Sequence, residues 1–315
     1  KSMTFEACAA AYIASHKDGW RNAKHGAQWD STLRAYAFPA FGDVPAADID
    51  VAMVLKAVEP IWTQKPETAA RVRGRIEAVL DWAAARGFRT GDNPARWRGL
   101  LQNLLPARSK VRRVTHHPAL PYARMGEFMA ALRGQAGIAA RALEFAILTA
   151  ARTSEATGAD WDEFDLGAAT WTIPGERIKA GKEHRVPLSA PAMAIVRAMA
   201  GAREGEFVFP GGRRGRPLSN MAMAAVLKRM GRGEITVHGF RSTFRDWAAE
   251  RTNYPREVAE MALAHAVGDK VEAAYRRGDL FEKRRRIMAD WARHCARIEK
   301  AEGGNVLTLA KSARA

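Results

Sequence analysis

Residues 106–121 show no hydrophobic periodicity and hold three prolines, Pro106, Pro118 and Pro121, so no single regular element runs through them. This break divides the 315 residues into two parts, each long enough to bury a core of its own. We expect a helical domain over 1–108, a linker over 109–121, a second domain over 122–302 and a C-terminal tail over 303–315.

The first part has helical spacing throughout. Thr4 is placed to cap a segment whose Phe5, Ala9, Tyr12 and Ile13 share one face. A second helix is predicted over 22–36, ending at a turn-rich run over 38–43. Asp50 caps a third, with Val51, Val54, Leu55 and Val58 inward. The clearest helix covers 67–86, with Ala69, Val72, Ile76, Val79, Leu80 and Ala83 as its apolar stripe and Gly87 as its stop. Asn93-Pro94 is expected to open a short helix carrying Trp97, Leu100, Leu101 and Leu104.

The second part opens with helices over 123–132 and 138–150, and then the period changes. Residues 162–166, 170–173 and 184–188 are short, rich in β-branched or aromatic side chains and separated by turn formers, as in a small antiparallel sheet. Helices resume over 191–200, 220–230, 239–251, 256–264, 270–276 and 281–299. The expected fold class is therefore mainly α with a small antiparallel β-sheet, a helical domain followed by a mixed α+β one.

Charge narrows the function. Lys and Arg number 50 against 34 Asp and Glu, a net +16, which attracts a polyanion, and nucleic acid releases counterions when its phosphates are neutralised. The window from Arg71 to Arg113 alone holds 11 basic and 3 acidic side chains. We read it as a DNA-facing strip, with Arg71, Arg75, Arg112 and Arg113 as contact candidates. A solvated helix face is the plainer reading of any one of them. No stretch approaches the ~20 apolar residues of a membrane span, and none reads as a signal peptide, so no membrane partner is expected. Two distant cysteines, Cys8 and Cys295, fit a reducing cytosol, and the histidines, His116-His117 included, form no metal-ligand motif.

Four pieces of the second part carry chemistry. Arg152 follows an apolar helix, with Glu155 three residues on; Lys179 and Lys182 lie near the turn of a predicted hairpin that continues as Arg185-Val186-Pro187-Leu188. His238-Gly239-Phe240-Arg241 opens a helix whose N-terminal N–H groups favour an anion, and Phe240, Phe244 and Trp247 would face its core. His265 precedes Tyr275 by ten positions. Taken singly, each piece is what an ordinary ion pair, hairpin tip, helix start or core tyrosine looks like.

Taken together and in order, they resemble the tyrosine recombinase family, the phage integrases and their relatives. The family order of Arg, hairpin Lys, His-x-x-Arg, His or Trp, and Tyr is matched by Arg152, Lys179, His238, Arg241, His265 and Tyr275. The hairpin alignment favours Lys179 over Lys182, and Glu155 matches an acidic position that supports the first arginine. The segment from Trp20 to Trp97 is similar to the core-binding domain of integrases from prophages and genomic islands. Members of that branch usually carry a further N-terminal domain for arm-type sites, about which these residues predict nothing.

The resemblance implies a site-specific DNA recombinase that integrates or excises a mobile element. Arg152 and Arg241 would clamp the non-bridging phosphate oxygens, while His238 and His265 add donors. His238 is the preferred acceptor of the Tyr275 proton, and Lys179 would protonate the leaving 5′ oxygen. A 3′-phosphotyrosyl link conserves the bond energy, so no metal, ATP or other cofactor is implied. The implied partners are double-stranded attachment sites, a homotetramer formed on DNA, and host DNA-bending and excision factors, in the cytoplasm at the bacterial nucleoid. For the segment over 281–299, with Ile287, Met288, Trp291, Cys295 and Ile298 on one side, packing on its own domain and docking on a neighbour both stay open. Two other functions share parts of this pattern: a DNA-relaxing enzyme like the type IB topoisomerases, and a DNA-binding prophage remnant without catalysis.

Overall fold

A computed structural model describes residues 2–20, 23–107, 111, 118–178, 180–265 and 278–298. Lys179, Tyr275, Arg112, Arg113, the histidine pair, the helix expected over 270–276 and the tail lie outside the described residues. The chain forms two compact units, Lys1–Thr115 and His116–Ala315. It is mainly helical, with one small antiparallel sheet among the described residues.

The first unit holds α1 (Phe5–His16), α2 (Ala23–Tyr36), α3 (Phe38–Phe41), α4 (Val51–Trp62) and α5 (Pro66–Ala85). Thr4 and Asp50 cap α1 and α4 by accepting from the Ala7 and Met53 N–H groups. The stripe expected on α5 is buried from Ala69 to Ala83, and Gly87 leaves the helix at φ 75°. Two expectations fail. The run over 38–43 is not a plain turn, because Pro39 fits a helix's first turn and Gly42 lets the chain close tightly. A Cβ on Gly42 would lie 2.9 Å from the Phe38 backbone. The short helix after Asn93-Pro94 is also missing. Gly99 turns the chain at φ 77°, and only a 3₁₀ turn, Leu101–Asn103, follows. Trp97 still packs, stacking on Trp62 with 5.4 Å between ring centroids.

The second unit holds α6 (Met125–Arg133), α7 (Ile138–Thr149), α8 (Thr153–Thr157), β1 (Phe164–Asp165), β2 (Thr170–Ile173), β3 (His184–Pro187), α9 (Ala190–Ala200), α10 (Ala222–Arg229), α11 (Gly239–Arg251), α12 (Arg256–Ala262) and α13 (Phe281–Ala296). The sheet runs β1-β2-β3, antiparallel throughout, with Trp171 opposite Val186. The first strand is shorter than expected because Asp160 caps a 3₁₀ turn, Trp161–Glu163, that takes its opening residues. Helix α7 runs through the core, buried on nearly every side from Ala140 onward.

Two ties hold α11 against the start of this unit. Thr243 donates to the Leu120 carbonyl at 2.6 Å, and a Cβ on Gly239 would lie 2.2 Å from the Pro118 carbonyl oxygen. Phe240, Phe244 and Trp247 face the core from α11. Helix α13 buries Ile287, Met288, Trp291 and Cys295 in this same core, and Trp291 donates from Nε1 to the Ile147 carbonyl at 2.9 Å. Its apolar face is therefore packed within its own unit, while Ile298 beyond it is 56% exposed. Among the described residues, no helix is long and apolar enough to cross a membrane.

Candidate active site

Four helix ends, the close of α7, the start of α8, the start of α11 and the close of α12, meet at one cluster of charges. Helix α7 ends at Ala150, which takes the left-handed conformation at φ 51°, a cost of roughly 1 kcal/mol for a residue with a side chain. That turn swings Arg152 out in an extended conformation ahead of α8. Glu155 then grips Arg152 twice, accepting its backbone N–H at 2.8 Å and its Nη1–H at 2.7 Å. Glu155 is only 2% exposed, and a buried carboxylate of this kind is tolerated only when paired.

Arg241 enters from the first turn of α11 and is 5% exposed. It donates to the Ala150 carbonyl and, at 2.6 Å, to the Leu263 carbonyl, and its Nη2 lies 3.2 Å from His265 Nε2. Arg152 reaches the same place, 3.4 Å from the Leu263 oxygen and 3.2 Å from that of Ala264. Both guanidinium groups thus sit on the carbonyl end of α12, where the last C=O groups lack helical donors and the helix dipole is negative. This brings together two cations from distant parts of the sequence with one carboxylate, Glu155, buried beside them. Burial, followed by the Arg152 charge, lowers Arg241 to about 10 despite the opposing pull of Glu155. Its Nε is buried with no hydrogen-bond partner. An arriving anion would relieve this crowding of positive charge.

His265 stands at the end of α12, immediately after Ala264 in a second left-handed turn at φ 49°. Its side chain, 43% exposed, places Nδ1 2.7 Å from Glu260. The other Glu260 oxygen accepts from Arg245 Nε at 2.6 Å. Burial alone would push the Glu260 carboxyl up, but hydrogen bonds from His265 and Arg245 and their charges hold it below its ordinary range. His238 lies exposed at the start of α11, one turn ahead of Arg241. Of the residues singled out in the sequence, then, Arg152, Glu155, Arg241 and His265 form one connected network. Glu260, Arg245 and His184 belong beside it and were missed.

His184 opens β3, next to Arg152, Glu155 and Arg284, and hydrogen-bonds the Ala262 backbone. Burial, then the Arg284 charge, with a smaller push from Arg152, lowers its imidazole from 6.5 to about 4, against Glu155 and the Ala262 bond. The unfolded chain therefore binds this proton at higher pH than the folded one. Stability should fall as pH drops from 6.5 to about 4, by about 2 kcal/mol after allowing for partial exposure. Unfolding free energies measured across that window should flatten in His184→Gln. An unchanged slope would remove His184 as the source.

Two other arginines are spent on internal bonds, one of them against its sequence reading. Arg75, a candidate DNA contact, is 8% exposed; it donates to the Gln28 carbonyl at 2.6 Å and to Thr32, and lies over the Trp29 ring. Its fork is used inside its own unit, whereas Arg71 is exposed. Arg284 on α13 is likewise used inside its own unit. It is 1% exposed, bonded at 2.7 Å to both the carbonyl and the carboxylate of Asp279 and also to the Arg185 carbonyl.

Residues 5–100 match the phage integrase central domain and residues 122–279 the phage integrase family. Prophage integrase IntA of Escherichia coli (strain K12) is 32% identical over 285 residues, covering 89% of this chain and 66% of the relative. Prophage integrase IntZ of the same organism is 30% identical over 292 residues, covering 91% and 70%. The chain thus spans about two thirds of the length of these relatives. A lambda integrase tetramer bound to a Holliday junction shares the fold, with a TM-score of 0.66 at 16% identity, over 89% of this chain and 79% of that one. With both units matched and the arginine pair gathered on one helix end, the chain belongs to the phage integrase family of tyrosine recombinases.

Proposed function

We propose that this chain is a site-specific DNA recombinase that cuts and rejoins strands through a 3′-phosphotyrosyl intermediate formed on Tyr275. The observation that carries the reading is the convergence of Arg152 and Arg241, with His265 beside them, at the carbonyl end of α12. Two forked cations held rigidly before substrate arrives need little reorganisation to stabilise the extra charge on a phosphorane-like transition state. The Tyr275 oxygen attacks phosphorus, His238 takes its proton, and Lys179 protonates the departing 5′ oxygen. In the second half, a 5′-hydroxyl of the partner strand attacks the phosphotyrosyl link and releases the phenol. One phosphoester is exchanged for another at each step, so neither ATP nor a metal ion enters the balance.

In this reading residues 1–108 serve as the core-type DNA-binding domain, 109–121 as the linker and 122–302 as the catalytic domain, followed by a tail over 303–315. Arg71, Arg112 and Arg113 supply backbone phosphate contacts, and Arg75 is left to hold its own helices together. Lambda integrase forms a tetramer on a Holliday junction. For this chain we infer the same stoichiometry on paired attachment sites, assisted by host bending and excision factors at the nucleoid. Relatives named as integrases favour strand exchange over DNA relaxation or passive binding.

The test is covalent trapping on a nicked duplex carrying a sequence selected for binding to this chain, with EDTA present. An adduct stable to SDS should form, and trypsin should release its nucleotide on the peptide over 271–276, which contains Tyr275. A nucleotide on any other peptide, or plasmid relaxation without exchange between two duplexes, would refute the assignment.

A further inference from the structure

The carboxylate of Glu260 has no role in the reaction as derived so far, yet it is held directly against His265. The two residues are joined twice. The His265 backbone N–H donates to the Glu260 carbonyl at 2.9 Å, spanning the left-handed turn at Ala264, and the Glu260 side chain then meets His265 Nδ1 at 2.7 Å. The first bond is the outer bond of a Schellman helix end, which brings residues five apart face to face. The carboxylate cannot swing away, because Arg245 Nε holds its other oxygen at 2.6 Å, with Arg256 Nε 3.6 Å from that same oxygen. With a side chain only 14% exposed, Glu260 is shielded from the water that would weaken these bonds.

We propose that Glu260 is a positioning residue that fixes the tautomer and orientation of His265 and so sets what the ring presents to Arg241 and to the scissile phosphate. The inference rests on the recombinase reading only for its kinetic consequence.

The chemistry follows from which nitrogen holds the proton. A carboxylate can only accept, so a neutral His265 must carry its proton on Nδ1 and donate it to Glu260. Nε2 is then left with its lone pair, which accepts from Arg241 Nη2 at 3.2 Å. The ring thereby helps to aim Arg241. When the ring gains a second proton, it keeps its bond to Glu260 and its orientation, and Nε2–H becomes a donor for a phosphate oxygen bound beside Arg241.

Glu260→Gln separates this role from simple packing. Arg245 Nε–H requires an acceptor, so the new amide should turn its oxygen to Arg245 and its NH₂ to His265 Nδ1. Nδ1 must then accept, which moves the neutral ring's proton to Nε2 and sets two donors, Nε2–H and Arg241 Nη2–H, against each other. In protein labelled with ring-¹⁵N histidine, and assigned by loss of the signal in His265→Gln, the neutral His265 ring should switch from the Nδ1–H to the Nε2–H pattern. Adduct formation on the nicked duplex should slow by about 10- to 100-fold with DNA affinity within about threefold, while Glu260→Asp recovers part of the rate. Glu260→Ala, compared below its own unfolding temperature, should lose the Nδ1–H preference without gaining the reversed one. A purely structural Glu260 would lower the melting temperature and leave the tautomer alone.

An unchanged Nδ1–H ring in Glu260→Gln overturns the proposal, as does a switched ring with wild-type adduct kinetics. If the wild-type chain forms no adduct, the recombinase reading fails by itself, and the nitrogen spectra still decide whether Glu260 controls His265.

Discussion

Tyr275→Phe should bind DNA within about twofold of wild type and form no detectable covalent adduct, a loss of at least about 10⁴ in rate. The substitution removes one oxygen and keeps the ring, so it takes away the atom that must bond to phosphorus. The chain has five tyrosines, and the surroundings of two others argue against a substitute. Tyr254 donates to Asp290 at 2.8 Å, and burial followed by that carboxylate raises its phenol above the ordinary value. Tyr122 donates to Glu250 at 2.8 Å. The shift at Tyr254 is the reverse of what a nucleophile needs, and the Tyr122 hydroxyl is already committed to a carboxylate. Gel separation under SDS after trapping on the nicked duplex reads the result directly. An adduct that persists in Tyr275→Phe would move the nucleophile to another side chain and break the proposed order of residues.

How much of this site was legible from sequence depends on what each residue does. Arg152, Arg241 and His265 could be picked out because phosphoryl chemistry requires those side-chain types, and a known order supplied the spacing. Glu155 came with them through its position three residues after Arg152, a helix-start spacing that puts its carboxylate on the Arg152 N–H. Glu260 had no such signal. Its contact depends on Ala264 adopting a left-handed conformation, which a residue other than glycine seldom advertises. His184 was hidden for a related reason: it looks like a strand residue, and only the packing of β3 beside the end of α12 brings it to the cluster. Charge misled in the opposite direction. Arg75 reads as a DNA-facing arginine because sequence reports a cation and not the carbonyl and hydroxyl groups that surround it. For secondary structure, the side-chain-capped helix α4 and the strongly striped helix α5 were legible, since a local hydrogen bond in the first and burial in the second agree with the sequence pattern. The stretch around Asn93 misled because its apolar residues pack from turns instead of from a helix.

Arg241→Ala should slow adduct formation by about 10³-fold and destabilise the second unit by about 2 kcal/mol. On the proposed mechanism, the kinetic loss follows from removing one arm of the phosphate clamp. The stability change is a contest between two effects. Truncation orphans the Ala150 carbonyl, leaves that of Leu263 with only the longer bond from Arg152 at 3.4 Å, and takes a donor from His265, and each buried acceptor left unmade costs about 1–3 kcal/mol. Against that, it relieves a buried cation that burial and the neighbouring Arg152 lower to about 10. The lost bonds should win because the two carbonyls end α7 and α12, where no helical donor can replace the guanidinium. Arg241→Lys separates the two effects. It keeps the charge but offers a point donor that cannot span both carbonyls, so it should recover little stability and remain about 10²-fold slow. Urea unfolding and trapping kinetics, both run where the variants are folded, give the two numbers independently. A variant with wild-type stability would mean the buried bonds of Arg241 contribute nothing net, and one with wild-type kinetics would place the phosphate clamp elsewhere.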